Sequence, residues 1–239
     1  MIDIKTIMRD FIRARSFQDF INMRYKDELM LIVDRHDLGA VVTKSGAMFH
    51  PSSMINNALH ISKEIDMSDI RPTDIVIDIG ACIGGFTIPA AMVARHVYAV
   101  EPLYADELQK NIVLNNLEDK ITVIDAGLGC GDPITVTYGE RKKTIKTMTL
   151  PQLREIGGCD FLKCDCEGAE WTICPKDLNG IRRIELEIHR GRQSILPENP
   201  NLLAWIEDNY RIQKGEKGGR DDGAYWHCFA QSLITPHLK

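Results

Sequence analysis

Val76-Ile77-Asp78-Ile79-Gly80-Ala81-Cys82-Ile83-Gly84-Gly85-Phe86-Thr87 is the stretch that decides the fold. An apolar strand runs into an acidic, glycine-rich turn, and a helix of small residues follows through Pro89-Ala90-Ala91. The next apolar strand, His96 to Val100, closes on Glu101. Together they outline a β-α-β unit shaped around an adenosine. Its glycines let the backbone turn sharply and leave room for a ligand at the strand end. An acid at the tip of the second strand can accept both ribose hydroxyls.

Spacing selects among nucleotides. A dinucleotide fingerprint needs G-x-G-x-x-G, and here Cys82 stands where the middle glycine belongs. A phosphate-cradling P-loop needs Gly-Lys before Ser or Thr, and Gly84-Gly85-Phe86 supplies no lysine. What remains is an adenosine ligand with no phosphate to grip, and S-adenosylmethionine (SAM) fits.

The chain of 239 residues, 44% hydrophobic, is long enough to bury a sizeable core. Its net charge of −5 disfavours a polyanionic partner, so nucleic acid is not expected. No run reaches the roughly 18 apolar residues of a membrane span, and no secretory leader opens the chain. Seven cysteines, an odd number without a repeating frame, suit free thiols in a reducing cytoplasm. The C-x-C pair Cys164 and Cys166 lacks a second pair to complete a zinc site, and no metal is expected.

Residues 1–70 read as an extension that caps the cleft, and residues 71–239 as the nucleotide-binding domain. In the extension, apolar spacing predicts a helix from Ile4 to Ile21, strands at Leu29–Val33 and Ala40–Thr43, and a helix from Asn56 to Ile65. Beyond Asp74, strands at 75–79, 96–101, 121–125, 159–164 and 183–189 alternate with helices near 85–94, 105–116, 168–174 and 199–209. That alternation implies a mostly parallel sheet covered by helices on both faces. Ile134 to Tyr138 and Thr144 to Met148 read as an inserted hairpin. Tyr225 to Ser232 reads as a last strand, after the charged, glycine-rich turn 217–223.

Strands buried on both faces should be continuously apolar. Two of these are not. In Arg183-Ile184-Glu185-Leu186-Glu187-Ile188-His189, alternation places Glu185, Glu187 and His189 on one face. In Phe161-Leu162-Lys163-Cys164-Asp165, Lys163 and Asp165 share a face. Buried charges are costly unless they pair or work. A structural account pairs Lys163 with Glu185 or Glu187; a chemical one makes Asp165, His189, Glu187 and Lys163 the catalytic set. By ligand type, Asp165, Glu187 and His189 could also bridge a divalent ion.

V-I-D-I-G-A-C-I-G-G-F-T (76–87), V-Y-A-V-E-P (97–102), D-F-L-K-C-D-C-E-G-A-E (160–170) and I-E-L-E-I-H (184–189) together resemble the FkbM family of SAM-dependent methyltransferases. The K-x-D-x-E-G-A-E element is modified here by cysteines at 164 and 166. The resemblance implies the Rossmann-like class I methyltransferase fold with a seven-stranded sheet. It places Asp78, Gly80, Ala81 and Gly84 around the methionine end of SAM, Glu101 and Pro102 at the ribose, and Asp125 and Ala126 beside adenine. It further implies O-methylation of a hydroxyl on a small molecule or sugar. The alternatives are methylation of a tRNA or RNA base, which the Gly84–Ala91 helix start also resembles, and a SAM-binding regulator without turnover. The last would require the polar face of 185–189 to be paired and walled off from the cofactor.

Overall fold

The structure is a computed structural model that describes residues 40–43, 45–191, 194–214 and 223–230. The helix expected at 4–21, the strand at 29–33 and most of the turn at 217–223 lie outside the described residues. Along the chain, two short strands, β1 (Val41–Val42) and β2 (Met48–Phe49), lead to helix α1 (Ile55–Glu64). Then come β3 (Ile75–Ile79), α2 (Thr87–Val93), β4 (His96–Val100), α3 (Ala105–Leu114) and β5 (Ile121–Ile124). A segment with β6 (Gly127–Leu128), β7 (Ile134–Tyr138), β8 (Arg141–Ile145) and β9 (Thr147–Met148) precedes α4 (Leu150–Gly157). β10 (Phe161–Cys164), β11 (Arg183–His189), α5 (Pro200–Asn209), β12 (Tyr210–Lys214) and β13 (Gly223–Ala230) complete the order.

The main sheet has seven strands in the order β12-β13-β11-β10-β3-β4-β5. β5, β4, β3, β10 and β11 run parallel, while β13 is antiparallel to both β11 and β12. The chain winds outward from β3 to β5, then returns to the other side of β3 as β10. Strand order therefore reverses between β3 and β10, where open α/β sheets bind their ligands.

Both faces are covered. On one, α2, α3 and α1 pack Ile88, Leu108 and Leu59 against Val76, Val97 and Phe161. On the other, α4 and α5 bring Leu153, Leu202 and Ile206 against Ile77, Leu162, Ile184 and Leu186. Residues 40–70 share the first of these cores. Asn115 holds Met48 by both its amide atoms (2.8 and 2.7 Å), and Asn111 accepts from His50 N–H (2.8 Å). Gly85 lets α1 approach, because a Cβ there would stand 2.6 Å from the Ala58 Cα.

Three expectations change. The stretch 168–174 forms no α-helix; Ala169–Thr172 and Pro175–Leu178 are two 3₁₀ turns. Left-handed backbone at Glu167 (φ 57°) and Gly168 (φ 101°) starts the first turn too sharply, and Pro175 begins the second. The second arm of the hairpin begins at Arg141, because Gly139-Glu140 makes a two-residue turn that pairs Tyr138 with Arg141. Thr147–Met148 leaves the hairpin and pairs with Gly127–Leu128. Finally, α4 was not anticipated. Its start is a capping box, Thr149 and Gln152 bonding each other's backbone N–H groups, with Pro151 in the first turn.

Candidate active site

At the β3/β10 reversal a cavity of about 550 Å³ opens beyond the carboxyl ends of the strands. Its size suits a small ligand. Gly80, Cys82, Glu101 and Pro102 form one wall, and Asp165, Cys166 and Glu167 another. The inner residues of the β7–β8 hairpin, Ile134 to Tyr138 and Ile145, roof it. Gly80 is required where it stands. Its φ is 78°, and a Cβ would come 1.8 Å from the Asp165 carbonyl oxygen.

Glu101 is almost fully buried at this rim, and backbone donors hold its carboxylate from two sides. Oε2 accepts from Cys82 N–H (2.7 Å), and Oε1 from Leu103 N–H (2.6 Å) and Tyr104 N–H (2.9 Å). Burial pushes its pKa up, and these three donors pull it only part of the way back. The Glu101–Tyr104 loop is in turn clamped by the hairpin. Arg141 donates to Leu103 O (2.6 Å) and lies 4.4 Å from the centre of the Tyr104 ring; Lys143 donates to Pro102 O (3.0 Å).

Asp78 lies beneath the cavity floor, fully buried. It accepts from the Thr87 hydroxyl (2.5 Å) and faces Lys163 Nζ at 3.2 Å. Lys163 is equally buried; it donates to Gly80 O (2.8 Å) and stands 3.6 Å from Asp165. Burial opposes its charge, but Asp78 and Asp165 outweigh burial and hold its pKa above the usual lysine range. The expected Lys163–Glu185 or Lys163–Glu187 pairing is thus replaced by pairing towards β3. Glu185, its neighbour on β11, is engaged by Arg183 and by His227 Nδ1 (2.6 Å).

Beyond Lys163, four acids surround His189. Its Nδ1 faces Glu170 Oε1 at 3.1 Å, and the same oxygen accepts the His189 backbone N–H at 2.8 Å. Its Nε2 stands 3.8 Å from Asp165, 3.7 Å from Glu167 and 3.8 Å from Glu187. Burial disfavours the charged ring, but Glu170 first, then Glu187 and Asp165, push its pKa up to about 9. At neutral pH the ring keeps its proton, so it is poorly set to act as the base expected of it. Asp165 and Glu167, by contrast, reach the cavity.

Of the other residues expected at the cofactor, Ala81 and Ala126 are buried beside the cavity without lining it, as is Gly84 behind the loop. Asp125 is on the surface, paired with Lys143 at 2.8 Å, where it anchors the hairpin. Sequence reasoning singled out neither Glu167, at the cavity, nor Glu170, on His189. It also missed the hairpin roof and Asn57, a cavity residue on α1.

Residues 78–212 match the methyltransferase FkbM domain. The chain belongs to the FkbM methyltransferase family. Its domain is that of a SAM-dependent methyltransferase, with SAM as cofactor. The cavity fits that cofactor. Glu101 offers a buried carboxylate at the rim, and Asn57 Oδ1 is a buried acceptor without a hydrogen-bond partner among the described residues. A ribose hydroxyl or an amino group would satisfy Asn57, and Glu101, with three backbone donors in place, keeps room to accept one more.

A stretch of 77 residues, 31% of this chain, is 35% identical to the 23S rRNA (uracil(1939)-C(5))-methyltransferase RlmD of Polynucleobacter necessarius subsp. necessarius. Another of 85 residues, 35% of the chain, is 33% identical to the probable ribosomal RNA small subunit methyltransferase A of Methanothermobacter thermautotrophicus. The matched stretches span 16% and 28% of those relatives. Among solved structures, the precorrin-6y C5,15-methyltransferase of Geobacter metallireducens is 12% identical at a TM-score of 0.49, covering 77% of this chain and 94% of that one. The likeness to two rRNA methyltransferases runs against the expectation of no nucleic-acid partner. Net charge averages over the whole surface, whereas Arg141, Lys142, Lys143 and Lys146 are concentrated on and beside one hairpin arm. No helix among the described residues is long and apolar enough to cross a membrane.

Proposed function

We propose that this protein methylates a base in RNA, taking the methyl group from SAM. The observation that carries this reading is the basic β8 arm of the hairpin whose β7 arm lines the cavity, with Lys142 and, just past β8, Lys146 exposed to solvent. Lysines so placed can grip phosphates while a base enters beneath them. The names of the two curated relatives support the same acceptor class. The far wall of the cavity suits a base edge: Asp165 and Glu167 are acceptors, and the amino groups of adenine, cytosine and guanine are donors.

SAM supplies a methyl group made electrophilic by its sulfonium. The protein then has to fix the acceptor in line with it and receive a proton. Alignment of this kind contributes roughly 7–11 kcal/mol. As the new bond to the base forms and the sulfur–methyl bond breaks, the proton leaving the base nitrogen passes to Asp165 or Glu167 and on to water. Lys163 orients Asp165 from behind. Glu187 and His189 act through position, not by touching the base.

The test supplies tritiated SAM with unmodified rRNA and tRNA transcripts, and in parallel with hydroxylated sugars and small metabolites. Label in RNA is expected. In binding assays, changing Lys142 and Lys146 together to alanine should lower the slope of log affinity against log salt by roughly 1.4–1.8. Label confined to the hydroxylated small molecules would overturn the RNA reading and return the acceptor to a hydroxyl.

A further inference from the structure

We propose that Asp165, Glu167 and His189 form a binding site for a divalent first-row metal ion at the wall of the cavity, with Glu187 beside it. One ligand atom from each of Asp165, Glu167 and His189 lies within 4.8 Å of the other two. The donor set of one imidazole nitrogen and carboxylate oxygens suits manganese to zinc in that series.

The decisive feature is the way His189 Nε2 faces its neighbours. An N–H hydrogen bond would bring one oxygen to about 2.9 Å. Three carboxylates instead surround Nε2 at nearly equal distance, 3.8, 3.7 and 3.8 Å, none within hydrogen-bond reach. Donors sharing an octahedral ion with bonds of about 2.1 Å stand about 3.0 Å apart when adjacent and about 4.2 Å when opposite. The spacing here falls between those values and needs only small side-chain shifts. His189 is itself only 3% exposed and aimed into the cluster.

The surroundings complete the arrangement. Glu170, fully buried, bonds Nδ1 of His189 and is held by Gly168 N–H at 2.9 Å. This is how an outer carboxylate fixes the tautomer and orientation of a metal-ligating histidine. Asp165 turns Oδ2 to Lys163 and leaves Oδ1 for the ion. On binding, the ion replaces the Nε2 proton, which goes to solvent. Because Asp165 and Glu167 both line the cavity, the ion's remaining positions open towards it, where an oxygen or nitrogen of the acceptor can bind. With the ion bound, Asp165 is committed to it and to Lys163, so the acceptor's proton would pass to the free carboxylate oxygen of Glu167.

The probe is Mn²⁺ alone, added to the full chain without SAM or RNA, so the outcome is separate from that of the acceptor reading. Loss of the free-ion electron paramagnetic resonance signal should report one bound ion per chain. Pulsed spectra should show nitrogen coupling from one imidazole. Glu167→Gln changes a half-exposed side chain and should leave the fold intact while weakening binding at least tenfold. Glu170→Gln, which removes the outer carboxylate, should cost roughly 10–100-fold. Any of three results overturns the site: no stoichiometric binding below millimolar Mn²⁺, bound Mn²⁺ without nitrogen coupling, or equal affinity in wild type and Glu167→Gln.

Discussion

Lys163→Met isolates the buried charge pair beneath the cofactor cavity. Methionine matches the shape of the lysine stem, so the change removes charge with little loss of packing. It leaves Asp78, fully buried, with the Thr87 hydroxyl and no cation at 3.2 Å, and it frees the Gly80 carbonyl. Breaking a buried pair from one side costs about 3–5 kcal/mol. Urea unfolding of wild type and variant at pH 7 measures it. Adding Asp78→Asn removes the stranded charge and should recover most of the loss at pH 7. A loss under about 1 kcal/mol, or a double variant no better than the single one, would show that Lys163 does not neutralise Asp78.

Two further perturbations test the cavity rim. Glu101→Gln keeps the shape but turns an amide N–H towards backbone donors, and SAM affinity by calorimetry should fall by about 1.5–3 kcal/mol; affinity unchanged within twofold would place the ribose elsewhere. Burial pushes the Cys82, Cys159 and Cys228 thiols up to about 12, so iodoacetamide at pH 8 should alkylate exposed Cys130 and Cys174 first. Mass spectrometry showing Cys82 labelled in the folded protein at a comparable rate would contradict its enclosure at the cavity wall.

The sheet was legible where strands carried period-two or wholly apolar runs between clear turns. β3 and β11 fall at 75–79 and 183–189, as read from the sequence. β12 went unread, although Tyr210-Arg-Ile-Gln-Lys alternates, because it follows α5 without a turn signal. The charges of Arg141-Lys142-Lys143 disguised the second hairpin arm as a loop. The place of Glu101 at the cavity rim was legible because it is set locally, by a strand end and the turn facing it. Asp125 misled for the converse reason: a strand-end acid looks alike whether it faces a ligand or, as here, a lysine on an insertion. Glu170 could not be found from spacing, since its partner His189 is 19 residues away on the next strand.

The polar face of the sheet combines two functions that the register keeps apart. Asp78, Lys163, Glu185 and His227 lie side by side across β3, β10, β11 and β13. That row is sealed beneath α1 and the 66–69 segment, which Arg183 holds through Asp66 and Asp69. Its charges are spent on each other. Asp165 and Glu187 follow two residues further along their strands, with His189 beyond them, where the strands end and the cavity begins. Side-chain period two makes this possible, since every second residue returns to the same face one step closer to the ligand. Lys163 belongs to both rows: it neutralises Asp78 behind it and holds Asp165 ahead. A buried lysine in a parallel strand is costly to stability taken alone. Here the same charge pairs with the buried carboxylate beneath the cofactor cavity and fixes the position of the one in front of it, so a single side chain ties the floor of the site to its wall.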